Sequence, residues 1–318
     1  MQKGCRSMKR DMLCIIALAA AFPAACHAAA SVNVRAASYN IRVVTDRDTG
    51  DRAWKNRCAG LVKYVRDVVK PDVIGFQEVR KAYGCDQRKY IMDHLSGYGF
   101  KSRRNDLKMC NMIAWRKDKF KCIGAGTFWL SSNPDNVNSK FAKSKEARLC
   151  TWAMLRDLKT RKEICFASTH LDLNDGARAR QMKAIMAYLR PRWKSGTPFI
   201  LVGDMNCYET EDTIAKVATA ELNDAFLVSK KPPTGPWRTF NGWRWRDPAA
   251  DPSAKYGRTL PVSKRCPLDG GKRIDYMLTS KDIIVKSFEI RNETRKPKVY
   301  YSDHFPIVGN LLIPLHGG

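Results

Sequence analysis

Six short runs along this chain each bring a carboxylate, an amide or an imidazole to one end of a strand-like segment, which limits the folds open to it. "SVNVRAASYNI" alternates apolar and polar residues as a half-buried strand does, and it ends near Asn40. "DVIGF" leads to Gln77 and Glu78, and "ICFASTHLD" closes on His170 and Asp172. In "FILVGDMN", Gly203 reads as the end of a buried strand, after which Asp204 and Asn206 share one side of the extended chain. "RIDYMLTS" contains Asp275, and "YYSDHFPI" sets Asp303 and His304 before a terminal strand. Between these runs, Trp54, Cys58, Leu61, Val65, Val68 and Val69 follow helical spacing up to Pro71. "ARARQMKAIMAYL" aligns Met182, Ile185, Met186 and Leu189 on one face. The order of elements is mixed α/β, with no internal repeat and no low-complexity linker.

Taken singly, an Asp or Asn after a strand is an ordinary turn residue. Together the six sites have a shared chemistry. Carboxylate oxygens suit a hard cation such as Mg²⁺, with Mn²⁺ or Ca²⁺ as alternatives. Imidazoles beside carboxylates orient and deprotonate water, and amide and cationic donors suit phosphoryl oxygens. The chain has neither a G-x-S-x-G elbow nor a Walker lysine loop. Metal-assisted hydrolysis of a phosphate ester is the reading these residues support.

The first 28 residues read as a separate segment. "MKRDMLCIIALAAAFPAACHAAA", from Met8, joins a basic start to a short apolar run and small residues suited to cleavage. A signal peptide over residues 1–28 is therefore expected, cut near Ala28 or Ala30, with a lipoprotein cut before Cys26 as the alternative. The mature chain, residues 29–318, is expected to be one secreted or periplasmic domain, monomeric and without a membrane-spanning segment. Its 53 basic against 30 acidic side chains leave a charge of +23, a field that gathers polyanions. Eight cysteines remain after the leader, an even number that makes disulfides an expectation in an exported protein.

Two loops stand apart. Residues 133–147 are polar, and residues 229–273 carry 11 Lys/Arg against three Asp. Within the latter, "GPWRTFNGWRWRD" interleaves Trp237, Phe240, Trp243 and Trp245 with Arg238, Arg244 and Arg246. Aromatic faces stack on bases and arginines neutralise phosphates, so Arg238 and Trp243 are expected substrate contacts on nucleic acid. The other reading is a loop pinned to the body by its tryptophans.

"SYNI", "GFQEV", "STHLD", "GDMN", "RIDYM" and "SDHFP", in this order from about Ser38 to Ile313, resemble the endonuclease/exonuclease/phosphatase superfamily that contains deoxyribonuclease I. The resemblance implies a four-layered α/β sandwich, two mixed β-sheets packed face to face with helices outside. It implies Glu78 as principal metal ligand, with Asn40 and Asp303 close to the metal. His304 would be the general base, held by Asp275, and His170 would act on the leaving oxygen or the transition state. Asp204 and Asn206 would position water or phosphate oxygens, and Arg148 is a candidate phosphate clamp. The implied activity is a metal-dependent phosphodiesterase, first a nuclease on DNA or RNA. A phosphatase or phospholipase C-type enzyme on acidic lipid or inositol phosphates is the alternative, and a non-catalytic nucleic-acid-binding protein on the same fold is a third reading. "GKRIDYM" departs from the tryptophan-cysteine-aspartate-arginine pattern of the inositol 5-phosphatases.

Overall fold

Alternation along β1 (Ser31–Asn40) sets the layering of the molecule. Val32, Val34 and Ala36 enter one apolar cluster, whereas Ala37 and Tyr39 enter another on the opposite face. The computed structural model describes residue 1 and residues 31–103, 110–192, 196–247 and 273–315. Apart from Met1, the expected leader lies outside the described residues, as does 248–272 of the basic segment.

The chain continues through β2 (Val73–Val79), β3 (Lys81–Ala82), β4 (Cys85–Asp86), β5 (Tyr98–Ser102), β6 (Cys110–Arg116) and β7 (Phe120–Trp129). It goes on with β8 (Leu149–Asp157), β9 (Glu163–His170), β10 (Phe199–Asp204) and β11 (Leu222–Asp224), and closes with β12 (Asp275–Ser280), β13 (Ile284–Ile290) and β14 (Ile307–Pro314). Two six-stranded sheets result, ordered β13-β14-β1-β2-β6-β5 and β11-β12-β10-β9-β8-β7. Each contains one parallel pair, β1 with β2 and β9 with β10. A parallel pair needs a crossover, supplied by α1 (Trp54–Tyr64) and by α3 (Asp175–Leu189). Two shorter helices, α2 (Gln87–His94) and α4 (Ala225–Val228), complete the set.

The sheets face each other across Val34, Ile113, Phe166, Val202, Met277 and Leu311. On the outer face of the first sheet, Leu61 and Val62 of α1 pack against Tyr39, Phe76 and Met112. On the outer face of the second, Met182, Ile185 and Leu189 of α3 pack against Cys165, Leu201 and Tyr276. Each such side chain, fully buried, contributes about 1.5–3 kcal/mol. Helix, sheet, sheet and helix stack as the expected sandwich.

Three local expectations are corrected. The helical pattern up to Val69 is an α-helix only to Tyr64 and widens into a π-helical turn over Val65–Val69. That turn closes where Lys70, left-handed at φ 46°, donates its N–H to Val65 O at 2.9 Å. Gly203 does not end its strand: β10 runs through it to Asp204. Gly203 has φ 151° beside Thr169 of β9, and a Cβ there would run into the Thr169 carbonyl oxygen. Close approach of two backbones, rather than chain reversal, requires the glycine. The seven described cysteines downstream of the leader all carry free thiols, five of them buried, and Cys266 lies outside the described residues. The disulfide expectation finds no bridge among them; the buried ones serve as small apolar side chains. No helix among the described residues is long and apolar enough to cross a membrane.

Candidate active site

Parallel pairing brings the ends of β1, β2, β9 and β10 to the same end of the sandwich. In register, Asn40 neighbours Gln77 and Asp204 neighbours His170, while Asp275 faces Asp204 across the antiparallel β10–β12 ladder. Asn40 ties the two sheets together there. Its Nδ2 donates to Glu78 Oε1 and to Asp204 Oδ2, both at 3.1 Å, and its Oδ1 accepts from the Arg42 N–H at 3.0 Å. The amide nitrogen therefore faces the carboxylates.

Glu78 owes its position to an irregularity. The β2–β6 register slips between Phe76 and Val79, and Glu78 takes φ 63°, a conformation costly for a non-glycine residue. The bulge turns its carboxylate toward Asn40 and the Val43 N–H, which donates to Oε2 at 2.7 Å. Arg42 reaches Asp303 Oδ2 at 3.5 Å and Asp48 at 2.8 Å. Arg57, fully buried, donates to the carbonyls of Ile41, Arg42, Arg52 and Tyr301 and so fastens the segments bearing Asn40 and Asp303 to each other.

The two histidines have opposite electrostatics. His304 Nδ1 lies 2.9 Å from Asp275 Oδ2, and its Nε2 lies 3.6 Å from Asp204 Oδ2. Burial works against its charge, but the Asp275 and Asp204 carboxylates outweigh burial and raise it to about 10. Burial first, and then Asp275, push Asp204 up to about 7. His170 is held well below the usual range by burial, then by the Arg148 and His304 charges. The Asn206 amide nitrogen donates to Leu171 O and to His170 Nε2, each at 2.9 Å. Neutral His170 with an accepting Nε2 must carry its proton on Nδ1, which is buried without a hydrogen-bond partner.

A cavity of about 360 Å³ opens beside these groups, lined by Glu78, Arg80, Asn111, Asn138, Lys140, Lys145, Glu146, Arg148 and His170. Arg148 is 8% exposed; its nearest carboxylate, Glu146, is 3.9 Å away, and its Nε is buried without a partner. Lys140 and Lys145 belong to a loop whose sequence shows only polarity, and Arg80 and Asn111 carry no sequence signal of a site.

The structure thus gathers Asn40, Glu78, His170, Asp204, Asn206, Asp275, Asp303 and His304 at one place, with Arg148 at the cavity wall. It does not bring Arg238 there as a surface contact. Arg238 is 2% exposed and lies over the Phe305 ring, and Trp237 is buried in the inter-sheet core against Phe226. Trp243 is flanked by the guanidinium groups of Arg52 and Arg57, at 5.9 and 5.6 Å from its ring. Phe240 packs on the His304 ring, with centroids 5.0 Å apart. Of this run, Trp237 is a core residue, whereas Phe240 and Trp243 are half-buried beside the site. Asp172 is an anchor: its carboxylate accepts from Glu146 N at 3.0 Å and Asn174 N at 2.8 Å.

The sequence model described as "Endonuclease/Exonuclease/phosphatase family" matches residues 37–304, from β1 to His304 itself. The chain belongs to the endonuclease/exonuclease/phosphatase family. No curated protein matches it in sequence. Among solved structures, it is similar to a family protein from Bacteroides thetaiotaomicron (26% identity, TM-score 0.75, 91% of this chain and 99% of that one). It is similar also to the mannosyl-6-phosphatase Bt3783 of the same organism (26% identity, TM-score 0.71, 87% and 99%). D. rerio TDP2 complexed with a single-strand DNA product shares the fold at 17% identity (TM-score 0.63, 88% and 98%). The protein accordingly has the phosphoesterase fold of the endonuclease/exonuclease/phosphatase family, whose enzymes are generally dependent on a divalent metal.

Proposed function

We propose that this protein is a divalent-metal-dependent phosphoesterase that hydrolyses a compact phosphate ester seated at Glu78, Arg148 and His170. One observation carries the reading: two buried donors, Arg148 Nε and His170 Nδ1, lack protein partners, and both residues line the same cavity. What distinguishes them from the other unpartnered arginine nitrogens is place: an arginine and an imidazole beside a carboxylate cluster suit phosphoryl oxygens.

The donor set fits a hard cation. Carboxylate oxygens crowd together, Asp275 Oδ1 is buried without a partner, and ligand atoms of Asp204, Asp275 and His304 lie within 4.8 Å of one another. Asp275 and His304 are spent on each other, however, whereas Glu78 is half-buried and borders the cavity. Glu78, with Asp303 and Asp204 behind it, is the set that would hold Mg²⁺ or Mn²⁺. When bound, such an ion supplies Lewis-acid stabilisation of charge on the phosphate and, by its own charge, favours loss of the His304 proton. Asp275 fixes the His304 ring so that Nε2 points at Asp204, the position from which it takes a proton from water. Asp204 and Asn206 orient that water and the His170 ring, and His170 donates from Nδ1 to the phosphate or leaving oxygen.

The small size of the cavity, the embedded Trp237 and Arg238, and the similarity to a mannosyl-6-phosphatase support a compact substrate such as a sugar or inositol phosphate. A nuclease is the second reading, supported by the formal charge of +26. We also read residues 1–28 as a leader for export. The test is hydrolysis with Mg²⁺ or EDTA across mannose 6-phosphate, inositol phosphates, sphingomyelin, plasmid DNA, single-stranded DNA and RNA, with His304→Ala alongside. Turnover of small phosphate esters, lost with EDTA and in the variant, supports the reading. Turnover confined to nucleic acid replaces it with the second.

A further inference from the structure

We infer that the cavity accepts a substrate carrying a second phosphate, held by Lys140 and Lys145, beside the one that is hydrolysed. The inference rests on the phosphoesterase reading and adds a substrate class to it. A cavity of about 360 Å³ is in the range that encloses a whole small molecule, so more than the scissile phosphate enters it. Charge then distinguishes what enters. Arg148 and a cation at Glu78 suffice to neutralise the scissile group, and Lys140, Lys145 and Arg80 remain on the walls with Glu146 as the other acid. Among the described residues neither lysine is paired with a carboxylate; Lys140 Nζ donates to the Lys145 carbonyl at 3.1 Å. Both lysines are exposed on the cavity wall, where a second phosphate gains charge-assisted hydrogen bonds that a neutral sugar ring does not offer.

The wall is also held in place. The loop between β7 and β8 is fastened by Ser131 Oγ to Ser139 Oγ at 2.6 Å, and by Gln181 Nε2 to Ser144 Oγ at 3.3 Å. The bond from Glu146 N to the buried Asp172 carboxylate, at 3.0 Å, fixes its far end. Lys140 and Lys145 thus stand on a braced frame shared with α3, and binding need not order the loop first.

Steady-state kinetics with Mg²⁺ compares mannose 6-phosphate with fructose 1,6-bisphosphate and with the 5′-phosphorylated dinucleotide pTpT, for wild type, Lys140→Ala, Lys145→Ala and Lys145→Glu. The wild type is expected to show a lower KM for a bisphosphate or for pTpT than for the monophosphate. Each alanine variant should raise that KM about tenfold more than the KM for mannose 6-phosphate, the loss of one hydrogen bond to a charged group. Lys145→Glu should exceed both. A gain confined to fructose 1,6-bisphosphate assigns the second phosphate to a small molecule, and one confined to pTpT assigns it to a neighbouring nucleotide. Turnover of all three substrates with equal KM, or variants that shift every KM alike, overturns the inference while the phosphoesterase reading stands. No turnover of any of them removes the compact-substrate reading and the inference with it.

Discussion

Asp204 and Asp275 stand directly opposite each other on adjacent strands, two carboxylates buried side by side at the centre of the site. Such a pair is tolerable only if a proton or a cation is shared with it. His304 provides the first, within 2.9 Å of one and 3.6 Å of the other. The site is thus built around a charge deficit that its own imidazole partly fills.

That arrangement ties His304 to turnover and, in the metal-free protein, to stability as well. His304→Gln should lower kcat by about 10²–10⁴ with Mg²⁺ while circular dichroism shows the fold retained, and should melt below wild type in EDTA at neutral pH. Asp275→Asn should act in the same direction, because Asp275 holds the ring. Near-normal turnover in either variant would rule out the assigned base.

The two histidines should also mark opposite ends of the pH–stability curve in EDTA. The folded-state pKa of His304 is raised to about 10, so its contribution is fully present below about pH 6.5 and is lost as pH climbs through 10. His170 is depressed, so its contribution is present above about pH 6.5 and is lost as pH falls below it. Asp204, raised to about 7, slopes the other way in acid, so the readout is the difference from each variant. Melting curves of His304→Gln should lose the alkaline decline, and those of His170→Asn should gain stability relative to wild type in acid.

Gly203→Ala should destabilise on the order of 3 kcal/mol or prevent folding, since the clash is with a backbone oxygen in a buried ladder. Gly97→Ala, whose Cβ meets nothing within 4 Å, should stay within about 0.5 kcal/mol. Urea unfolding of the two variants decides whether Gly203 marks close approach or merely a loop start.

Trp237→Ala should cost about 3–5 kcal/mol, as the removal of a core aromatic does. Arg244→Ala, at an exposed position, should leave stability unchanged. A stable Trp237→Ala protein that had lost affinity for single-stranded DNA would restore the stacking reading of this segment.

The strand ends were legible because strand period and chain order place them without knowledge of packing. Asn40, Glu78, His170 and Asp204 meet because the parallel strands of each sheet finish on the same side, and Asp275, Asp303 and His304 join them because the antiparallel β12 and β14 begin there. What stayed hidden depends on tertiary partners. Alternating Trp and Arg from Trp237 to Arg246 looks the same whether the rings face solvent or Phe226 and Arg57. Gly203 has the composition of a terminator, and only the Thr169 carbonyl across the ladder gives its reason. Lys140 and Lys145 carry no periodic signal, so nothing in the sequence aims them at the cavity. Asn40 was readable as a site residue, but which end of its amide meets Glu78 is set by the Arg42 N–H.

One side of the site is riveted in place. Asn241 N and Gly242 N both donate to Asp303 O, Phe305 N donates to Thr239 O, and Thr239 Oγ1 accepts from Ile274 N and Asp275 N. A change there disturbs His304 and Asp275 together, so drift on that side carries an immediate loss of catalysis. The wall bearing Lys140 and Lys145 touches none of those bonds. Descendants of this chain have an inexpensive route to a new diet: rewrite the loop between β7 and β8 short of Arg148 and inherit the reaction intact.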